Sequence, residues 1–224
     1  MFTNDDAPVT GGDQPPAGGT GGDQPPKGGT GGDQPPKGAS TLATFQPAFD
    51  FTIKHEDATL SGKITVDAGG RTRFGIAQKF HPDLPDSFFD GDKEDVLATA
   101  EGIYEHDYWD PMRLGEITNQ NIANKLMDMA INMGVHQAVH LAQRAVNGLI
   151  ASGAQFGPQA PSPVTQLVED GIIGDHTIAA INAADPIAFH TMLVEVLKAF
   201  YIHIATNNPA QAVYLHGWLK RVES

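Results

Sequence analysis

Residues 53–76 read IKHEDATLSGKITVDAGGRTRFGI, and a change of hydrophobic period inside this stretch decides the fold. Just ahead of it, Phe45, Phe49 and Ile53 recur every fourth residue, with Thr44 as an N-cap and Pro47 in the first turn. That is the pattern of an amphipathic helix. At about 100° per residue, Glu56 falls roughly 20° from Phe45 on the wheel, inside the apolar stripe. Between residues 59 and 77 the helical period ends. β-Branched Ile64, Thr65, Val66, Thr72 and Ile76 interleave with Gly62, Gly69, Gly70 and Gly75, which predicts a short hairpin or a three-stranded β element.

Downstream, the helical period returns and stays. Residues 78–91, with two prolines, read as a loop, and Asp92 as the cap of a helix carrying Val96, Ala100, Ile103, Tyr104 and Tyr108. A helix over 119–133 stops at Gly134, and another carries Val135, Val139, Ala142, Val146 and Leu149 into a Gly/Pro/Ser-rich loop at 152–163. Asp170-Gly171 marks a turn, and Gly174-Asp175 opens a short helix. Asp185-Pro186 and Asn208-Pro209 are each an N-cap followed by proline at the first helical position. The expected fold class is α+β, mainly α-helical, with one small β-hairpin element; it matches neither an open α/β sheet nor a sandwich.

Upstream lie three copies of a ten-residue TGGDQPP unit, starting at Thr10. Their glycines oppose persistent helix, and nothing large and apolar occurs between Val9 and Leu42 to build a core. The domain organisation expected is therefore a disordered tail over 1–41, a first globular half over 42–134 and a helical second half over 135–224 packed on it. With 14 Lys+Arg against 27 Asp+Glu, a formal charge of -13, the chain should repel nucleic acid. The absence of cysteine removes disulfides, thiolate nucleophiles and Cys-ligated zinc. The N-terminus has neither the basic nor the apolar region of a signal peptide, and the most apolar stretch, 187–205, is interrupted by His190, Glu195, Lys198 and His203. Neither signal peptide nor membrane insertion is expected.

The chemistry concentrates around the opening stretch. Hydrolysis of a glycosidic bond needs a proton donor for the leaving oxygen and a second group that activates water or attacks carbon. Glu56 on an apolar helix face suits the donor, because desolvation favours the protonated form. Across the turn, Asp67 can act as base or electrostatic partner, Thr72 can hold a water, and Gly70 lets backbone approach a sugar. Taken alone, the same residues read equally well as a helix-end cap and a turn. Tyr108 and Trp109 offer rings that could stack on a sugar or close the core. His136 and His140 stand one turn apart, but Gln137 occupies the place where a zinc peptidase needs glutamate. No metal and no cofactor are called for.

Four ordered segments add a resemblance. FDFTIKHE with DAGGRTRFGI, then IYEHDYWDPMR, then LMDMAINMGVHQAVHLAQRAVN, resemble the glycoside hydrolase family 108 muramidases, found as phage endolysins and secretion-activator proteins. EDGIIGDHTIAAI and FYIHIATNNPAQAVYLHGWLKRV are similar to the predicted peptidoglycan-binding half that accompanies them. The resemblance implies a lysozyme-like fold and cleavage of the β-1,4 bond between N-acetylmuramic acid and N-acetylglucosamine. It puts Glu56 at the catalytic glutamate and sets Asn132 on a motif asparagine. Asp67 and Thr72 resemble the Glu, Asp, Thr arrangement of phage-type lysozymes. Where the family pattern has Glu-Gly-Gly, this chain has Glu56-Asp57-Ala58. The implied protein is a monomeric endolysin that waits in the host cytoplasm and meets peptidoglycan when another protein opens the inner membrane. The alternatives are a lytic transglycosylase and a non-catalytic wall-binding or virion structural protein.

Overall fold

The computed structural model describes residues 42–57, 61–67, 70–158, 160 and 165–223, the side chains of residues 55, 56 and 67 excepted. The repeats of the N-terminal tail, Ala58 and Gly69 lie outside the described residues.

Helix α1 (Phe45–Glu56) starts where the sequence predicts, after Thr44. The Thr44 side chain makes no cap. Instead, Gln120, which opens α4 (Gln120–Met133), accepts from the Thr44 N–H at 2.8 Å and donates to its carbonyl at 2.9 Å. One amide thus ties the first turns of two helices together. Ala48, Phe49, Thr52 and Ile53 form the buried stripe of α1, and α4 is its main packing partner.

The β element has three antiparallel strands in sequence order: β1 (Thr65–Asp67), β2 (Gly70–Arg73) and β3 (Ile76–Ala77). The β2–β3 turn places Phe74 at φ 49° and Gly75 at φ 76°. Two left-handed residues in a two-residue hairpin loop match the right-handed strand twist, but a phenylalanine there is strained. The strain is offset by burial of its ring and by the Tyr104 hydroxyl, which donates to the Phe74 carbonyl at 2.9 Å.

Two expectations are corrected after the sheet. The supposed loop over 78–91 contains a short helix, α2 (Asp86–Asp90), because Phe88 and Phe89 turn inward and are buried. The helix after Asp92 does not run unbroken to Tyr108. Here α3 (Lys93–Tyr104) passes into one π-helical turn over Glu105–Trp109. The wider turn re-aims the last two rings relative to the α3 stripe.

In α4, Asn119 caps as expected, accepting from the Ile122 N–H at 3.1 Å. Gly134 ends α4 and begins α5 (Val135–Ala151) at φ 86°, ψ 152°. That conformation lies beyond the left-handed helical cap the sequence suggested and is open essentially to glycine alone. After α6 (Asp175–Ala183), Asp185 caps α7 (Pro186–Asn207) by accepting from the Ala188 N–H at 2.9 Å. Behind Asn208-Pro209 the chain first makes a 3-10 turn, Pro209–Tyr214, and only then α8 (Leu215–Val222).

A single apolar core runs from Ala43 through α4, α5 and α7 to Val222, so the two halves share it. Among the described helices, α7 alone is long and apolar enough to cross a membrane by length and composition. Here Phe189, Leu193, Leu197, Phe200 and Ile204 of α7 fill the core, and the helix packs on α5 and α8.

Candidate active site

The helix register puts position 56 at the last turn of α1, on the stripe that carries Phe49, Thr52 and Ile53. Asp57 follows at φ -147°, ψ 81°. This is extended backbone that any residue adopts, so no glycine is required there. Its carboxylate has a task a glycine could not perform. It accepts from the backbone N–H of Ser61 at 3.0 Å and of Gly62 at 2.7 Å, and from the Ser61 hydroxyl at 3.1 Å. Asp57→Gly, although it restores one glycine of the family pattern, should cost about 1–2 kcal/mol, because two loop N–H groups lose a charged acceptor. Thermal unfolding of the variant checks this, and an unchanged midpoint would contradict it.

The loop so held is fixed from the other side by Arg73. This buried guanidinium donates to the carbonyls of Gly62 at 3.0 Å, Phe88 at 3.1 Å, Phe89 at 2.9 Å and Gly91 at 2.9 Å. It therefore joins the exit of α1, the sheet and the end of α2 at one point. Arg71 reinforces the link with Asp86 and with Asp90 at 3.0 Å, and its guanidinium lies 4.5 Å from the Phe89 ring centre. Gly62 itself has φ +63°, and a Cβ there would come within 2.9 Å of the Phe74 ring.

Register then sorts the candidate residues. Thr65 pairs with Thr72, Val66 with Arg71 and Asp67 with Gly70. Directly opposed residues share a face and neighbours alternate, so positions 65, 67, 70 and 72 lie on one face. Positions 66, 71 and 73 lie on the other, the face fastened to α2. Two of the sequence-predicted residues, Asp67 and Thr72, are thus brought to one surface together with Gly70. Gly70 has φ +97°, which favours glycine. The Thr72 hydroxyl has no hydrogen-bond partner among the described residues and is half-exposed.

The remaining candidates divide. Tyr108 is half-buried, its ring 5.9 Å from that of Tyr104. Trp109 is only 6% exposed and packs edge-on against Phe45 at 5.9 Å, as the core alternative expects. The apolar period could place it on the helix stripe but could not show that Phe45 covers it. Asn132 lies in the last turn of α4, where its carbonyl oxygen accepts from the Tyr201 hydroxyl of α7 at 2.7 Å. The Asp107 carboxylate, beside Tyr108, lies 2.6 Å from Nδ1 of His106 and 3.9 Å from Nδ1 of His81. The hydrogen bond to Asp107 pushes exposed His106 up, while burial pulls His81 down.

The second half explains its own motif residues. The Gln143 side chain donates to Asp170 at 2.8 Å and accepts from the Gly171 N–H at 2.9 Å, while the Asn147 side chain makes paired bonds with the Leu167 backbone. Asn147, Asp170 and Gly171 therefore dock the 165–174 loop onto α5. Gly171 is required there, since φ is +68° and a Cβ would meet His136 at 2.7 Å. His140 is engaged by Arg144 at 2.8 Å, and among the described residues no group of three or more His, Asp or Glu could hold a metal. Across the halves, Arg221 of α8 pairs with buried Asp128 at 2.8 Å, and Lys125 donates to the Arg221 carbonyl at 2.8 Å. Burial holds Lys125 below the usual lysine range. At the surface of this half, the ring of Trp218 stacks on Tyr201 at 5.0 Å and meets Tyr214, which is 60% exposed, at 5.9 Å.

A mainly helical chain with a small antiparallel sheet against the end of its first helix is a lysozyme-like α+β fold. The solved structure of Brucella abortus SagA has this fold: it aligns with a TM-score of 0.56 at 20% identity, over 80% of this chain and 89% of that one. Residues 49–134 match the glycosyl hydrolase 108 family, and residues 137–223 match the predicted peptidoglycan domain. The two matches together support a glycoside hydrolase acting on peptidoglycan. No curated protein matches the chain.

Proposed function

We propose that the protein is an N-acetylmuramidase that hydrolyses the β-1,4 bond between N-acetylmuramic acid and N-acetylglucosamine. Glu56 is the general acid, Asp67 the base or electrostatic partner, and Thr72 the residue that holds water. The supporting observation is the hairpin register, which gives positions 67, 70 and 72 a common face on a sheet that Arg73 ties to the loop leaving position 56. A general acid on one element and a water-holding pair on another is the division of labour hydrolysis requires. Gly70 lets the sugar approach backbone, and Tyr108 lines the approach. Asn132 has a side-chain amide N–H to offer an N-acetyl group. A Thr72 hydroxyl with no partner among the described residues is available to hold water, which supports hydrolysis over a lytic transglycosylase reaction, which needs no positioned water.

The biological setting that fits is host lysis by a monomeric phage endolysin, held in the host cytoplasm until the inner membrane is opened. Sedimentation with purified sacculi and turbidity loss of outer-membrane-permeabilised cells test the reading together. Wild type should sediment and clear the suspension; sedimentation without clearing would make it a wall-binding protein instead. The exposed Tyr214 ring is suited to contact a sugar face, and Tyr214→Ala should weaken sedimentation roughly 3- to 10-fold at unchanged thermal stability. Unchanged sedimentation would remove Tyr214 from the contact.

A further inference from the structure

The buried stripe of α1 contains one polar residue, Thr52, which is 0% exposed. Its hydroxyl oxygen has no hydrogen-bond partner among the described residues. A threonine inside a helix ordinarily satisfies its hydroxyl by donating to the carbonyl four residues back. The other threonines beyond the first turn of a described helix do so: Thr99 to Asp95 at 3.1 Å, Thr191 to Ile187 at 2.8 Å and Thr206 to Ile202 at 2.8 Å. Thr52 forgoes that bond although the carbonyl of Ala48 lies within its own helix. A buried hydroxyl left unpaired is destabilising, and valine would fill the same space without that penalty. The fold therefore carries an avoidable cost at this position.

Position 52 stands one helical turn before position 56, about 6 Å along the axis and on the same stripe. We propose that Thr52 is a positioning residue for the catalytic acid: its hydroxyl is kept off the helix backbone so that it can donate to the Glu56 carboxylate as that group loses its proton. A general acid becomes an anion in the transition state, and a donor aimed at where charge develops lowers the barrier without strengthening substrate binding. The bond strengthens as the carboxylate forms, which gives a use to a hydroxyl with no partner among the described residues. This proposal rests on the assignment of Glu56 as the acid.

The test compares Thr52→Val, Thr52→Ser and Glu56→Gln in the full chain, acting on soluble peptidoglycan fragments so that kcat and KM separate. Thr52→Val should lower kcat about 10-fold with KM unchanged. It should also raise the melting temperature by a few degrees, since the unpaired group is gone. Thr52→Ser restores the hydroxyl and should return kcat to within about 3-fold of wild type. A purely structural Thr52 predicts the reverse pairing, lower stability with unchanged kcat in the folded fraction, and that result would overturn the proposal. Undiminished kcat in a stabilised Thr52→Val protein would overturn it equally. If Glu56→Gln keeps its activity, the assignment of the acid itself fails, which is a separate outcome.

Discussion

Glu56→Gln should lower the release of reducing ends from peptidoglycan by about 10²- to 10⁴-fold, the range that a positioned general acid contributes. On the barrier this is about 3–5 kcal/mol. Glutamine keeps the size and most of the hydrogen bonding of glutamate but has no proton to transfer, so the loss should fall on kcat with KM little changed. The variant should remain folded, because the loop that leaves α1 is held by Asp57 and Arg73. Binding to sacculi should persist, since the second half does not depend on the acid. A Glu56→Gln protein that is folded and fully active would remove the acid from its place.

The second large effect is on stability. Arg73→Met should cost about 3–5 kcal/mol, more than any surface change in this protein. Methionine fills most of the volume but leaves four carbonyls, of Gly62, Phe88, Phe89 and Gly91, without their charged donor. Lysine should recover only part of the loss, because an ammonium is a point donor and cannot reproduce the planar fork that reaches two backbone segments. For a domain of this size the melting temperature should fall roughly 10 °C. Because the same contacts hold the sheet to the end of α2 and to the loop that leaves α1, the remaining folded protein should also be a poorer catalyst. Denaturant titration checks the first point; a shift below about 1 kcal/mol would show the network to be dispensable.

What the sequence disclosed follows the reach of local rules. Asn119 and Asp185-Pro186 mark helix starts because a cap is decided within four residues, and those starts stand in the structure; the start after Thr44 stands too, but Gln120 secures it in place of a local cap. The three-stranded sheet was readable from β-branched residues between glycines, and its register then put Asp67 and Thr72 on one face. Arg73 was not readable: its partners lie eleven to eighteen residues away, and no spacing announces them. Trp109 stays open between sugar and core in the sequence for a related reason, since Phe45, which packs on it, is distant in sequence. The π-helical turn before it shifts phase in a way that a regular period cannot foresee. Asp57 looked like a departure from the family pattern until its carboxylate was found holding Ser61 and Gly62.

These observations also relate the strained and the functional parts of the molecule. Phe74 in a left-handed turn and Thr52 with an unpaired hydroxyl both flank the sheet-facing end of α1. Each departs from the local optimum near the site where Glu56 and Thr72 are assigned their roles, as expected where function and stability compete. In the second half the side chains of Gln143 and Asn147 have their bonds satisfied, in keeping with a docking role for the 165–174 loop.

The bond cut and the manner of cutting can be read from one experiment, mass spectrometry of the fragments released from purified sacculi by the wild-type chain. The account predicts disaccharide-peptides ending in a hydrated, reducible N-acetylmuramic acid. Fragments ending in 1,6-anhydro-N-acetylmuramic acid, or in reducing N-acetylglucosamine, would contradict it.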